Sequence, residues 1–133
     1  MSHFTIYETE LQNVTEETVR EAVEALAKEL NATVVSSLES EYWRRERIVA
    51  GLKMPGLETG IGVRVVNGKM QIVGDDYRQA EQFARLQFLL PKAVEIQTIR
   101  NEAKKQMMMG HSKILGTRMR LTEKKLELAV MYA

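Results

Sequence analysis

The fold is decided by the segment from Asp76 to Gly110, DYRQAEQFARLQFLLPKAVEIQTIRNEAKKQMMMG. Its apolar residues recur mostly every three or four positions, which predicts one long helical region with one face packed on a sheet. The residues expected on that face are Ala80, Phe83, Leu86, Leu90, Val94, Ile96, Ile99, Ala103 and Met107. Asp76 is the expected N-cap, and Gly110 is the expected C-terminal stop.

Pro91 interrupts this helical pattern. A proline inside a helix removes a backbone hydrogen bond and clashes with the preceding turn, at a cost of about 3 kcal/mol or more. The apolar pattern nevertheless stays in phase from Leu86 through Leu90 to Val94. Because a full break would reset that phase, we expect a kink that lets both halves of the helix pack on one core.

The strongest local signal is Asn67-Gly68, which lies between two β-rich runs, Ile61–Val66 and Lys69–Val73. Asn-Gly favours a two-residue type I′ turn because both central positions need a positive φ. The turn fixes the register of the two strands. The expected pairs are Val65 with Met70, Val63 with Ile72, and Arg64 with Gln71.

The rest of the chain predicts one more helix and five more strands. Thr15 is the expected N-cap of the helix, and Asn31 is its expected end. The strands are expected at His3–Leu11, Thr33–Leu38, Arg47–Met54, Lys113–Leu121 and Lys125–Tyr132. Residues 39–46 mix aromatic and charged side chains, and they either extend two strands into a long hairpin or form a loop.

The predicted order is therefore β-α-β-β-β-β-α-β-β, in a single α+β domain spanning residues 1–133. Consecutive strands joined by short turns pair as hairpins, which favours an antiparallel sheet. Two helical regions with apolar stripes are expected to pack on one face of that sheet.

The composition is that of a globular protein, with 44% hydrophobic and 28% charged residues. The chain has no cysteine, so that disulfides and thiolate metal sites are excluded. The first residues lack the basic and apolar regions of a signal peptide. No apolar run is long enough to span a bilayer. We therefore expect a cytoplasmic protein that does not insert into a membrane.

The net charge of +1 conceals an asymmetry between the two parts of the chain. Up to Tyr42 there are nine acidic and two basic residues, a balance of −7, whereas from Trp43 onward there are 17 basic and nine acidic residues, a balance of +8. Either the acidic first helix faces a more basic sheet and second helix, or the chain presents a basic surface to an anionic partner.

Several short motifs resemble a known family. They are Met1-Ser2-His3-Phe4-Thr5, Ile61-Gly62 before the Asn67-Gly68 hairpin, the helix end Asn101-Glu102-Ala103-Lys104-Lys105, and the closing hairpin. Together they resemble the DUF1257 family, called Ycf35 in algal plastids and also found in cyanobacteria. The chain departs from the family in Met107-Met108-Met109, which follow the lysine pair, and in the last turn, Thr122-Glu123-Lys124. The resemblance implies a cytosolic or stromal α+β domain and transfers no catalytic residue.

No residue pattern assigns a catalytic or metal site. The only histidines, His3 and His111, lack the spacing of metal ligands. Asp75-Asp76 is interpreted as a helix cap rather than as a pair of catalytic carboxylates. No nucleophile, base and orienting group are brought together by spacing. We therefore expect no metal and no cofactor, and an enzyme of unknown class is the least favoured of three hypotheses.

The first hypothesis is a non-enzymatic binding or assembly module that forms homo-oligomers or binds another protein. It would use its sheet edges or the segment from Tyr42 to Arg47. Aromatic residues and arginine are enriched at protein interfaces. The candidate interface residues are Tyr42, Trp43, Arg44, Arg45 and Arg47.

The second hypothesis is a single-stranded nucleic-acid-binding protein. Basic side chains with interleaved aromatics on a sheet face bind phosphates and stack on bases. The candidate residues are Arg44, Arg45, Arg64, Lys69, Arg118 and Arg120. The sequence lacks the aromatic signature of RNA-recognition motifs, and its isoelectric point of about 8.0 is modest for this role.

Overall fold

We analysed a computed structural model that describes residues 4–40, 43–110 and 113–133, without the side chains of residues 40 and 43–46. The described elements are β1 (Thr5–Glu8), α1 (Glu16–Leu30), β2 (Thr33–Ser40), β3 (Trp43–Met54), β4 (Leu57–Val66), β5 (Lys69–Gly74), α2 (Ala80–Met108), β6 (Ile114–Leu121) and β7 (Leu126–Tyr132). This order confirms the predicted succession of helices and strands.

The strands form two antiparallel sheets. The first has five strands in the order β1-β5-β4-β3-β2, and the second consists of β6 and β7 alone. The α+β class and the antiparallel pairing are thus as predicted. The closing hairpin forms a separate sheet because its apolar face packs on the two helices.

The β4–β5 hairpin has the predicted turn and register. Asn67 and Gly68 both have positive φ angles, 52° and 77°. The strand pairs include Val63 with Ile72, Arg64 with Gln71, and Val65 with Met70. The side chains of β4 and β5 therefore alternate between the helix-covered face and the opposite face of the sheet.

The first helix also begins and ends where the sequence predicts. The Oγ1 atom of Thr15 accepts a hydrogen bond of 3.2 Å from the backbone N–H of Thr18. Asn31 has the left-handed conformation, with φ of 54°. The buried residues of α1 are Val19, Ala22, Val23, Leu26 and Ala27.

The second helix continues without a break through Pro91. Leu86, Leu90 and Val94 are all buried, so that both halves of α2 contribute to one core, as the phase of the pattern predicts. The bend at Pro91 stays a prediction.

The predicted N-cap of α2 was wrong, because the helix begins four residues after Asp76, at Ala80. The Asp75 carboxylate accepts a hydrogen bond from the backbone N–H of Tyr77 at 2.9 Å and thereby closes a turn before the helix. Gln79 occupies the N-cap position without capping the helix through its side chain. Its amide instead donates to the Gly60 carbonyl at 3.3 Å, which anchors α2 to β4.

Two residues predicted on the buried face of α2 are exposed, Ala80 and Ile99. Ala80 is the first helical residue and precedes the packed part of the helix. Ile99 is 53% exposed although Val94 and Ile96 are both buried. Val94 and Ile96 are two positions apart, which is more than half a helical turn, so they point to opposite sides of α2. Both of these sides are buried, and Ile99 lies on the side that is exposed.

The two helices pack against each other and against both sheets. α1 contacts β3, β4 and β6, whereas α2 contacts β4, β6 and β7. The main core therefore includes residues of both sheets, among them Leu52, Ile72, Met119 and Leu126. Over the residues that the structure describes, neither helix combines the length and apolar character needed to cross a bilayer.

Candidate protein interface

The described part of the predicted interface segment, Tyr42 to Arg47, begins at Trp43 and forms the start of β3. Of its two possible structures, the extended hairpin is found, because β3 begins at Trp43 and pairs with Ser40 of β2. Among the residues named in the sequence-based hypotheses, His3, Tyr42 and His111 lie outside the described residues. The side chains of Trp43, Arg44 and Arg45 also lie outside them. Arg47 is exposed. A partner contact through this segment stays a prediction.

The β2–β3 hairpin crosses the far face of the five-stranded sheet, opposite the helices, at Leu38 and Ile48. The β2–β3 register shifts between Val35 and Ser37 and again between Leu38 and Ser40. Beyond these shifts, Leu38 and Ile48 form a second buried cluster with Val73 of β5. Phe4 and Val35 pack against this cluster, which covers the middle of the far face.

Glycines of β3 and β4 permit this crossing. A Cβ atom added at Gly62 would lie 2.8 Å from Ile48 Cδ1 and 3.1 Å from Leu38 Cδ1. A Cβ atom added at Gly60 would lie 2.8 Å from Leu38 Cδ2, and one at Gly51 would lie 2.6 Å from Ile48 Cδ1. The two large side chains therefore rest directly on the backbone of the sheet.

Arg64 and Lys69 lie on this same far face, toward the β4–β5 turn. Arg64 Nη2 donates to Gln71 Oε1 at 3.3 Å. The Arg64 guanidinium also lies 5.6 Å from the centre of the Phe4 ring, within the range of a cation–π contact. Lys69 is exposed. Arg64 thus contributes to the packing of the sheet, whereas the side chain of Lys69 is exposed to solvent.

Arg118 and Arg120 lie on β6, in the other sheet. Arg120 Nε donates to Glu127 Oε1 across the β6–β7 pair at 2.9 Å. Arg118 lines a shallow cleft with the acidic residues of α1, Glu21, Glu24 and Glu29. This arrangement supports the simpler interpretation of the charge asymmetry, in which the acidic helix faces basic residues of its own chain.

The described basic residues of the nucleic-acid hypothesis therefore do not share one face. Arg64 and Lys69 belong to the five-stranded sheet, whereas Arg118 and Arg120 belong to the β6–β7 sheet. Both sheets pack mainly on the helices rather than on each other.

The buried polar side chains hold the fold together. Thr9 Oγ1 donates to the Met70 carbonyl at 3.0 Å. Gln97 Nε2 donates to Asn101 Oδ1 at 3.0 Å. Gln79 Oε1 accepts from the Thr59 backbone N–H at 3.2 Å. Within residues 4–40, 43–110 and 113–133, no group of three or more histidine, aspartate and glutamate side chains is arranged to hold a metal ion.

Three large apolar side chains are exposed at the open end of the β6–β7 hairpin. Leu115, Met131 and Tyr132 are each more than 60% exposed. Gly116 lies beneath Met131, since a Cβ atom added there would be 3.0 Å from Met131 Cε. These exposed side chains make this end of the hairpin a candidate contact surface.

The edges of the five-stranded sheet are both protected. A free strand edge presents unpaired backbone groups to other chains, and short or bulged strands reduce that risk. β1 has only four residues, from Thr5 to Glu8. β2, TVVSSLES, is longer but consists mainly of polar residues. Neither edge offers a long apolar strand.

The two edges of the β6–β7 sheet differ from each other. β6 contacts both helices, and the backbone N–H of Leu121 donates to Glu29 Oε1 of α1 at 2.8 Å. Thr117 Oγ1 accepts from Arg100 Nε of α2 at 3.3 Å. β7 is LELAVMY, with one charged residue and no glycine or proline. In the described part of the chain, only β6 pairs with it.

Comparison with known proteins gives no further assignment: no family model matches the chain, and no curated protein or solved structure matches it. The resemblance to the DUF1257 family stays a prediction from the sequence.

The sequence predicts sheet edges as possible interfaces but does not identify the residues of this edge. The signal lies in Leu128 to Tyr132, LAVMY, where apolar residues occupy both faces of the strand. A strand with one face in water normally alternates apolar and polar residues. Continuous apolar character in a strand of a two-stranded sheet therefore indicates that a second surface is covered.

Proposed function

We propose that this chain is a non-enzymatic binding and assembly module that forms homo-oligomers in the cytoplasm. The observation that carries the proposal is the open edge of β7, a regular seven-residue strand beside the exposed side chains of Leu115, Met131 and Tyr132. Unpaired strand edges of this kind pair with other chains.

The other strand edges strengthen this interpretation. β1 is short, β2 is mainly polar and β6 is held by side chains of the helices, so β7 is the least protected of the four edges in the described part of the chain. Natural proteins protect an exposed edge with charges, proline or a bulge when it must stay unpaired. β7 has a single charge, Glu127, which already pairs with Arg120.

The buried polar side chains have structural partners. The buried side chains of Thr9 and Gln79 form hydrogen bonds to the backbone of β5 and β4. The buried side chain of Gln97 forms a hydrogen bond within α2. An active site is expected to bring together a nucleophile, a base and a group that orients the base. These polar groups instead serve as fixed structural contacts.

Sedimentation velocity at micromolar concentration tests the proposal. The expected result is a species larger than the 15.2 kDa monomer, whose proportion rises with protein concentration. Because the exposed patch is apolar, association should persist as salt increases. A single monomeric species over the whole concentration range would contradict the proposal.

Fluorescence anisotropy with labelled single-stranded RNA and DNA separates this proposal from the nucleic-acid hypothesis. The basic residues of that hypothesis fall on two sheets, so we expect no tight binding. Binding that weakens steeply with salt would instead indicate phosphate contacts and counterion release.

A further inference from the structure

The free backbone groups of β7 can be assigned from its pairing with β6. At one end, the carbonyl of Lys125 accepts from the N–H of Thr122 at 2.8 Å. At the other end, the N–H of Ala133 donates to the carbonyl of Lys113 at 2.7 Å. Alternate residues of an antiparallel strand direct both backbone groups to the same neighbour. The residues that face β6 are therefore Glu127, Ala129 and Met131.

The intervening residues of β7 direct their N–H and carbonyl groups away from β6. They are Leu126, Leu128, Val130 and Tyr132. Leu126 is buried in the main core, and Leu128 packs against that core. The backbone groups available for pairing thus belong to residues whose side chains lie on the helix-facing side of the sheet.

We infer that this edge is filled by β7 of a second copy of the chain, antiparallel to the first, with the two-fold axis at Ala129. The inference rests on the proposed function and identifies the strand, the register and the symmetry of the contact. Two identical strands that pair antiparallel are related by a two-fold axis, which gives a closed dimer.

This register uses the whole edge. Leu126 lies opposite Tyr132 of the second copy, and Leu128 lies opposite Val130 of the second copy. Every outward backbone group from Leu126 to Tyr132 then has a partner, since Ala129 is the middle residue of the strand. An axis at Leu128 or Val130 would leave one end of the strand unpaired.

The side chains at the axis also favour this register. Ala129 faces its own copy in a pair without backbone hydrogen bonds, where the Cα atoms approach to about 4.5 Å. Its small side chain fits this close approach. An axis at Glu127 would instead place two carboxylates opposite each other, which is destabilising. With the axis at Ala129, Glu127 lies opposite Met131 of the second copy and keeps its contact with Arg120.

The absence of cysteine from the chain allows a direct test by single-cysteine cross-linking. In the Ala129→Cys variant, the Cα atoms of the two cysteines of a dimer would lie at a separation that a disulfide can bridge. We expect this variant to form a covalent dimer at least about tenfold faster than an exposed-cysteine control, Glu81→Cys on α2, because pairing raises the effective thiol concentration.

The register is tested with Glu127→Cys and Met131→Cys. Each variant alone should cross-link no faster than the control, because its two copies lie about 13 Å apart along the paired strands. A mixture of the two should give the mixed dimer rapidly, because Glu127 opposes Met131 of the second copy.

The outcomes separate this inference from the proposed function. If the protein is oligomeric by sedimentation but Ala129→Cys cross-links no faster than the control, the β7 register is wrong and the assembly uses another surface. If the protein is monomeric, both the inference and the proposed function fail. Rapid cross-linking of Ala129→Cys and of the mixed pair supports the inference.

Discussion

The two sheets of this protein differ in how completely the chain covers them. The five-stranded sheet has the helices on one face, and Leu38 and Ile48 of the β2–β3 hairpin rest on glycine backbone on the other. In the described part of the chain, the β6–β7 sheet has the helices on one face only, and β7 has an open edge. The first region is therefore covered on both faces, whereas the second leaves one face and one edge uncovered.

The largest expected effect tests the core that both sheets share. Replacing Leu90, which is fully buried in α2, with alanine should lower the free energy of unfolding by about 2–5 kcal/mol. Urea denaturation measures this change. The matched control is Phe88→Ala on the same helix, because Phe88 is 67% exposed and its loss should change stability by less than about 0.5 kcal/mol.

An unchanged urea midpoint for Leu90→Ala would mean that Leu90 is not packed. The continuous apolar face through Pro91 would then be wrong, because that face depends on Leu86, Leu90 and Val94 being buried together.

A smaller effect compares glycines in the two regions. In Gly62→Ala, the new methyl group would lie 2.8 Å from Ile48 Cδ1 in a covered sheet, and overpacking of this kind costs about 1–3 kcal/mol. In Gly116→Ala, the methyl group would meet only Met131 Cε, the end of a flexible and exposed side chain. Thermal unfolding should therefore show a clear loss for Gly62→Ala and almost none for Gly116→Ala.

Equal losses for the two variants would contradict the proposed difference between a closed and an open region. The far face would then tolerate a side chain at Gly62, and the close packing of Leu38 and Ile48 on β4 would not be required for stability.

The smallest expected effect concerns the surface contact between Arg120 and Glu127. Arg120→Ala removes a partly exposed ion pair, which should cost about 0.2–1 kcal/mol of unfolding free energy. The oligomer should persist, because the proposed contact is formed by backbone groups and apolar side chains. Urea denaturation and sedimentation together check both expectations, and dissociation into monomers would show that the charge pair is part of the interface.

Local signals in the sequence predicted much of the fold. Thr15, Asn31 and the Asn67-Gly68 turn each determine the backbone near them, and all three behave as predicted. The start of α2 was missed because Asp75 uses its carboxylate to close a turn and Gln79 bonds to β4 rather than to the helix. That choice depends on a strand distant in sequence, which local rules do not include.

The sequence predicted that a sheet edge could form the interface, but it did not predict which edge. The sequence indicated that strand edges matter, but the identity of the open edge depends on which strands pair and on what the helices cover. Pairing of β1 with β5 and separation of β6–β7 from the main sheet are consequences of tertiary packing. The apolar run from Leu128 to Tyr132 becomes informative only when β7 is known to have a single neighbour.

The most direct test of the open β7 edge is sedimentation of a Val130→Pro variant. The N–H of Val130 points away from β6, so proline removes a group that only a second chain would bind. Val130→Ala is the matched control, because it shortens the side chain and keeps the N–H. We expect a folded monomer for Val130→Pro, with circular dichroism like that of the wild type, and an oligomer for Val130→Ala. A folded Val130→Pro variant that sediments as the wild-type oligomer would contradict it.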